Sequence, residues 1–245
     1  MKCCAIIPVY NHEHAVAHVV DAVRAQGLHC ILVDDGSTAS CRTVLASIAQ
    51  NAADRVTLVS LPVNQGKGRA VLAGMQQAAQ MGFTHGLQLD ADGQHDAAEI
   101  PAFLAAAAAN PDAAVCGYPV YDDSVPKARL YGRYATHIWV WINTLSLRIK
   151  DSMCGFRLYP FAPTLALAAS EHIGSRMDFD TEIIVRLDWR GVPIVNLPIR
   201  VHYPLDGVSH FQLWRDNLRI SAMHTRLFFG MLWRLPRLIA CMGKR

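Results

Sequence analysis

The chain has 245 residues, enough for one domain or one domain with an appendage. A hydrophobic content of 52% against 18% charged residues excludes a disordered polymer, and a formal net charge of +3 gives no ground for expecting nucleic acid as a partner. The seven cysteines are scattered, odd in number and without a C-x-x-C pair, which points to free thiols in a reducing compartment and away from a disulfide frame or a zinc site.

In chain order, an apolar run over 2–8 (K-C-C-A-I-I-P) predicts a buried first strand ended by proline, with no room before it for a signal peptide. Residues 9–11 form a loop. Val16, Val19, Val20 and Val23 give 15–25 helical spacing that stops at Gly27. A second strand over 30–33 runs into Asp34-Asp35-Gly36-Ser37. A helix over 43–50 and a strand over 56–61 follow. The loop Asn64-Gln65-Gly66-Lys67-Gly68 opens a helix over 69–80. A strand over 87–89, an alanine-rich helix over 98–109 and a strand over 113–118 complete the regular half. Strands alternating with helices of this length predict a mostly parallel sheet with helices on both faces. Ligands of such sheets lie beyond the strands' C-terminal ends, and the polar clusters at 8–11, 34–37 and 90–95 all fall on that edge.

The second half is less regular: a polar loop over 122–126, a helix over 129–147 and a polar-aromatic segment over 151–160. A helix over 177–187 follows, opening with Asp178, Asp180, Thr181 and Glu182, then a strand over 192–199 and a loop over 201–211. From 212 the sequence is basic and apolar, with Trp214, Leu218, Phe228, Leu232 and Leu235 at helical spacing and Pro236 expected to kink or end the helix. Projected at about 100° per residue, Arg215, Arg219, Arg226, Arg234 and Arg237 share roughly a quarter turn. An arginine face beside Trp, Phe and Leu has the composition of an interfacial helix on an anionic membrane, and no uncharged stretch reaches the roughly 18 residues of a spanning helix.

The chemistry centres on L-Q-L-D-A-D-G-Q-H at 87–95. Asp90 and Asp92, two apart at a strand's end, would point the same way and suit one hard divalent cation, with Gln94 or His95 as a further ligand. A solvated D-G turn is the plain alternative. Asp34 or Asp35 can accept from a nucleotide's base or ribose, while Ser37 or Thr38 caps the next helix. Lys67 just before a helix start favours an anion, although the P-loop spacing is absent. A cation with nucleotide contacts and no P-loop fits a nucleotide-diphosphate donor whose diphosphate is neutralised as it leaves.

P-V-Y-N at 8–11, D-D-G-S at 34–37, N-Q-G-K-G-R-A at 64–70 and D-A-D-G-Q-H at 90–95 together resemble the family 2 glycosyltransferases. C-G-F-R-L-Y at 154–159 and F-D-T-E at 179–182 continue the match over about 3–205, most closely with the dolichol-phosphate (polyprenyl-phosphate) mannose and glucose synthase branch. The resemblance implies an α/β GT-A catalytic domain over 1–210, a basic helical tail over 211–245, and inverting transfer from a nucleotide sugar. By position, Pro8, Tyr10, Asn11 and Glu13 would line the nucleotide pocket, with Asp35 or Asp34 on the base and Lys67, Asp90 and Ala91 near the nucleotide. Asp90, Asp92 and Gln94 would hold Mg²⁺ or Mn²⁺. Arg129 and Arg133 would take the phosphate of a polyprenyl acceptor.

Phe179-Asp180 stands where many relatives place a Glu-Asp pair. Asp180 is therefore the candidate base or acceptor-orienting group, with Glu182 and Asp151 behind it, although helix capping explains Asp180 equally well. An acceptor hydroxyl would need such a base, whereas an acceptor phosphate would not. The expected setting is cytoplasmic, at the inner face of the cell membrane, with a lipid or glycolipid acceptor. Transfer to a hydroxyl of an envelope glycan is the alternative. A sugar-1-phosphate nucleotidyltransferase would need a glycine-rich N-terminal signature with an arginine-lysine pair, which 6–13 does not offer, and a non-catalytic nucleotide-sugar-binding subunit would not need Asp90, Asp92 and Gln94 intact.

Overall fold

A computed structural model describes residues 1–120, 127–200 and 213–242; the loops expected over 122–126 and 201–211 lie outside the described residues. The elements in order are β1 (Cys3–Val9), α1 (Val16–Ala25), β2 (His29–Asp35), α2 (Ala39–Asn51), β3 (Val56–Leu61), α3 (Lys67–Gln80) and β4 (His85–Gln88). After a single 3₁₀ turn come α4 (Ile100–Ala109), β5 (Ala114–Pro119), α5 (Lys127–Thr144), β6 (Arg157–Pro160), α6 (Phe161–Ser170), α7 (Phe179–Trp189), β7 (Ile194–Ile199) and α8 (Leu213–Met242).

The strands form one sheet in the order β3-β2-β1-β4-β6-β5-β7. β6 runs antiparallel to both its neighbours, and every other pairing is parallel. β1, β2 and β4 are almost wholly buried, which is why β1 and β2 read as apolar runs, whereas β4 buries the polar side chains of His85 and Gln88. Successive residues serve opposite faces: Ile6, Ile31 and Val33 join Met75, Phe161 and Ile183 in one apolar layer, and Ile7 and Leu32 join Val20, Leu45 and Phe103 in the other.

Several boundaries differ from the sequence expectation, each for a local reason. β6 and α6 were hidden in a segment too short and mixed to show a period. β2 extends through both aspartates, and β4 stops two residues short of Asp90. Asp90 and Asp92 thus lie beyond the strand on a turn where Gly93 takes φ +75°, so the strand argument for their common direction does not apply. α5 ends at Thr144 because Leu145 adopts φ +50°. α8 continues through Pro236 to Met242, held beyond the proline by buried Leu238. Proline there forfeits one backbone hydrogen bond.

Candidate active site at the sheet edge

The loops after β1 and β2 are tied to each other. Asn11, at φ +56°, accepts at Oδ1 from the Thr38 N–H at 2.8 Å and donates its own N–H to Ser37 Oγ at 3.2 Å. Thr38 caps α2 by accepting from the Cys41 N–H. Asp34 Oδ1 accepts from the Ser37 N–H at 2.9 Å, while its buried Oδ2 has no hydrogen-bond partner. Asp35, turned the other way, accepts from the N–H groups of Gln65 and Gly66 at 2.7 and 2.8 Å. Burial pushes its carboxyl above the usual range against the pull of those two donors. Both aspartates thus shape the rim. Asp35 anchors the Lys67 loop, and Asp34 keeps an acceptor oxygen to spare. Pro8, Tyr10 and Glu13 are half-buried on the same edge, whereas the Ala91 side chain belongs to the apolar layer beneath.

Lys67 opens α3 and its ammonium lies between two carboxylates, 2.7 Å from Asp90 Oδ1 and 2.9 Å from Asp180 Oδ2. Burial opposes the charge on Lys67, but Asp180 and Asp90 together outweigh it and hold its pKa above that of an ordinary lysine. Burial would likewise raise Asp90, yet Lys67 and His95, the latter 3.7 Å away, keep it well below the usual carboxylate range. The second oxygen of Asp180 accepts from Gln88 Nε2 at 2.9 Å, and its main-chain carbonyl accepts from Arg157 Nη1. Two close approaches make this possible. A Cβ on Gly68 would lie 2.5 Å from the Phe179 ring, so α3 and α7 could not meet; one on Gly155 would lie 2.6 Å from Lys67 Nζ and 2.7 Å from Asp90 Oδ2.

Asp92 Oδ1 accepts from the Gln94 N–H at 3.0 Å, closing the turn. Among the described residues no three His, Cys, Asp or Glu side chains gather to hold an ion. The donor chemistry of Asp90 and Asp92 still suits a hard divalent cation, provided that phosphate oxygens and water complete its shell.

The other candidates separate. Glu182 is fully buried and consumed by Arg186, Arg226 and the Gly174 N–H, so it is no base. Asp151 accepts from Arg133 Nε at 2.6 Å and from the N–H groups of Met153 and Cys154. Burial favours its neutral form, but Arg133 prevails and lowers its pKa. Arg133 lines a cleft of about 170 Å³ with Tyr118, Pro119, Tyr134, His137, Lys150 and Asp151. The Arg129 side chain lies outside the described residues. The cysteines described are free thiols, and burial pushes Cys154 to about 12 and Cys116 to about 11, so neither is a nucleophile at neutral pH.

The tail requires a correction. Arg226 reaches Glu182 at 3.0 Å and Asp178 at 3.8 Å, and Arg234 reaches Glu171 at 3.6 Å and stacks on Trp189. These two arginines pair with acids of the rest of the chain and dock α8 on it, although Arg226 stays partly open to solvent. Among the described residues no helix is long and apolar enough to cross a membrane.

Sequence reasoning missed Arg157, a fully buried guanidinium beneath Asp180, and Gln88, which fixes the Asp180 carboxylate. A lone arginine in a four-residue apolar strand was the available signal for the first; nothing marked the second.

The profile described as "Glycosyl transferase family 2" matches residues 4–168. The chain is 28% identical to a polyprenol monophosphomannose synthase of Mycolicibacterium smegmatis, over 95% of this chain and 88% of that one. It is 27% identical to a dolichyl-phosphate beta-glucosyltransferase of Dictyostelium discoideum, over 88% of this chain and 72% of that one. Among solved structures, the glucosyl-3-phosphoglycerate synthase of Mycobacterium tuberculosis with Mn²⁺ and UDP-glucose superposes with a TM-score of 0.65 at 16% identity, covering 95% of this chain and 78% of that one. The shared architecture is the GT-A fold, with its mostly parallel central sheet.

Proposed function

The chain belongs to glycosyl transferase family 2, and on that premise we propose that it transfers a hexose from a nucleotide-diphosphate sugar to the phosphate of a polyprenyl lipid, inverting the anomeric carbon. One observation carries the choice of acceptor. Asp180, the carboxylate expected to act as base at the start of α7, has both oxygens engaged, one by Lys67 and one by Gln88. A hydroxyl acceptor needs a group to take its proton; a phosphate arrives as an anion and needs none.

In this reading the donor lies across the rim. The Asp34 oxygen without a partner receives a base N–H, Asn11 and Ser37 hold the loops that line the pocket, and Lys67 meets the diphosphate. Asp90 and Asp92 would hold Mg²⁺ or Mn²⁺, with Gln94 at the turn. When bound, the cation neutralises the departing diphosphate as a Lewis acid. The acceptor phosphate enters the cleft lined by Arg133, His137 and Lys150, with Arg129 on the same helix. Its oxygen forms a bond to the anomeric carbon as the bond to the diphosphate oxygen breaks, and no proton moves. Asp180 orients Lys67 and takes no proton from the acceptor.

We take 1–210 as the catalytic unit and 211–245 as its appendage, of which α8 (Leu213–Met242) is docked on the rest by Arg226 and Arg234. The protein works peripherally at the inner face of the cell membrane, where such an acceptor is presented.

The test is a product assay with purified protein, Mn²⁺ and UDP-, GDP- and TDP-sugars, using polyprenyl phosphate and the matching polyprenol as parallel acceptors. A sugar-lipid formed on the phosphate alone supports the proposal. A product on the polyprenol, or on a hydroxylated envelope glycan and not on the phosphate, overturns it.

A further inference from the structure

α8 exposes a broad apolar strip. Trp214 and Trp233 are each 86% exposed, and Leu218, Phe229, Leu232 and Ile239 lie open beside them. At about 100° per residue these six side chains fall within an arc of about 120°. The buried side of the helix, with Met223, Leu227, Met231 and Leu238, lies opposite. The strip does not stop at the helix. Trp139 of α5 meets Phe228 edge-on at 6.3 Å, and Phe228 in turn meets Phe229. On α5, Tyr134, Ile138, Trp139 and Ile142 are also exposed. Two packed helices therefore carry one continuous apolar surface, far larger than the scattered exposed hydrophobics of an ordinary surface.

The exposed charge bordering the strip is basic, while Arg133, Arg219, Arg226 and Arg234 of the same two helices are paired with acids. α5 and α8 together hold eight Lys or Arg residues and one acid, Asp216. Asp216 is buried and accepts from Arg219 at 2.9 Å. Exposed Arg215 and Arg237 border the strip on the side away from α5. Tyr134 belongs both to this surface and to the Arg133 cleft, so the cleft opens at the margin of the apolar face.

We propose that the joint α5–α8 face seats in the boundary between headgroups and acyl chains of an anionic bilayer and presents the Arg133 cleft to lipid phosphates there. This deepens the reading of a polyprenyl-phosphate acceptor and rests on it. Exposed indoles beside arginines are the composition that partitions to that boundary. A second copy is disfavoured by the same charges: an isologous contact would bring two basic rows together, whereas anionic headgroups complement them.

The experiment is flotation of the full chain with vesicles of equal parts phosphatidylcholine and phosphatidylglycerol, and with vesicles of phosphatidylcholine alone. Wild type is expected to float with the anionic vesicles and less with the neutral ones, with a blue shift of tryptophan emission. The double variant Trp214→Ser/Trp233→Ser alters two side chains already in solvent, so it should fold, bind the anionic vesicles about tenfold more weakly and retain transfer to a detergent-dispersed polyprenyl phosphate. Equal flotation of variant and wild type overturns the proposal. So does a wild type that ignores vesicles and forms a dimer that the variant breaks. Intact flotation with no transfer in detergent upholds this surface and strikes the proposed acceptor instead.

Discussion

Lys67 and Asp180 form an ion pair of 2.9 Å where the N-termini of α3 and α7 meet. An aspartate suits that end of a helix and a lysine does not, because the helix dipole presents partial positive charge there. Lys67 is held in this unfavourable place by two carboxylates, Asp180 and Asp90, and in turn keeps those two from repelling each other. Replacing Lys67 with Met should therefore lower sugar transfer about a hundredfold, the scale of losing a fixed charge beside a leaving group. In denaturant titrations the Lys67→Met and Asp180→Asn pair should couple by about 1–2 kcal/mol, as groups sharing one network do. Additive effects would show that the pair is incidental.

Gly155 gives a second prediction. An added methyl group would meet both Lys67 and Asp90 at under 3 Å, where real Cβ atoms do not sit. Gly155→Ala should cut kcat about tenfold or more by forcing that pair apart, while circular dichroism reports an unchanged fold. Full activity in Gly155→Ala would mean the Lys67–Asp90 contact is not part of the working site.

Asp35 acts at one remove. Its two oxygens hold the N–H groups of Gln65 and Gly66, the residues leading into Lys67. Asp35→Leu should cost about 1–3 kcal/mol of stability by leaving buried donors unpaired. It should also raise the KM for the nucleotide sugar more than it lowers kcat. An unchanged KM would place the Lys67 loop outside the donor site.

Acid should loosen the junction of α5 and α8. His224 of α8 faces Asn143 of α5, and burial lowers its pKa from 6.5 to about 4. Between those pH values the unfolded chain binds a proton that the folded chain refuses, so this contribution is intact above pH 6.5 and falls as the pH drops towards 4. The gap in Tm between wild type and His224→Gln should therefore shift in favour of the variant over that window. A gap independent of pH would contradict the assignment.

The regular half of the chain was legible because both-face burial writes itself into β1 and β2 as apolar runs, and glycines and prolines punctuate the helices. The rim clusters were legible because polar residues that end such strands have little else to do. What stayed hidden depends on contacts distant in sequence. Gln88 and Asp180 are 92 residues apart, and Arg226 and Glu182 are 44 apart. No local period encodes either, and the second turned an arginine that looked outward in projection onto the catalytic unit.

The most direct test is lipid-linked product formation by wild type and Asp92→Ala, each with Mn²⁺ and with a chelator. Wild type should glycosylate polyprenyl phosphate only when the ion is present, and Asp92→Ala should be about a hundredfold slower under the same conditions. Undiminished turnover by Asp92→Ala, or equal transfer by wild type in the chelator, would contradict the account.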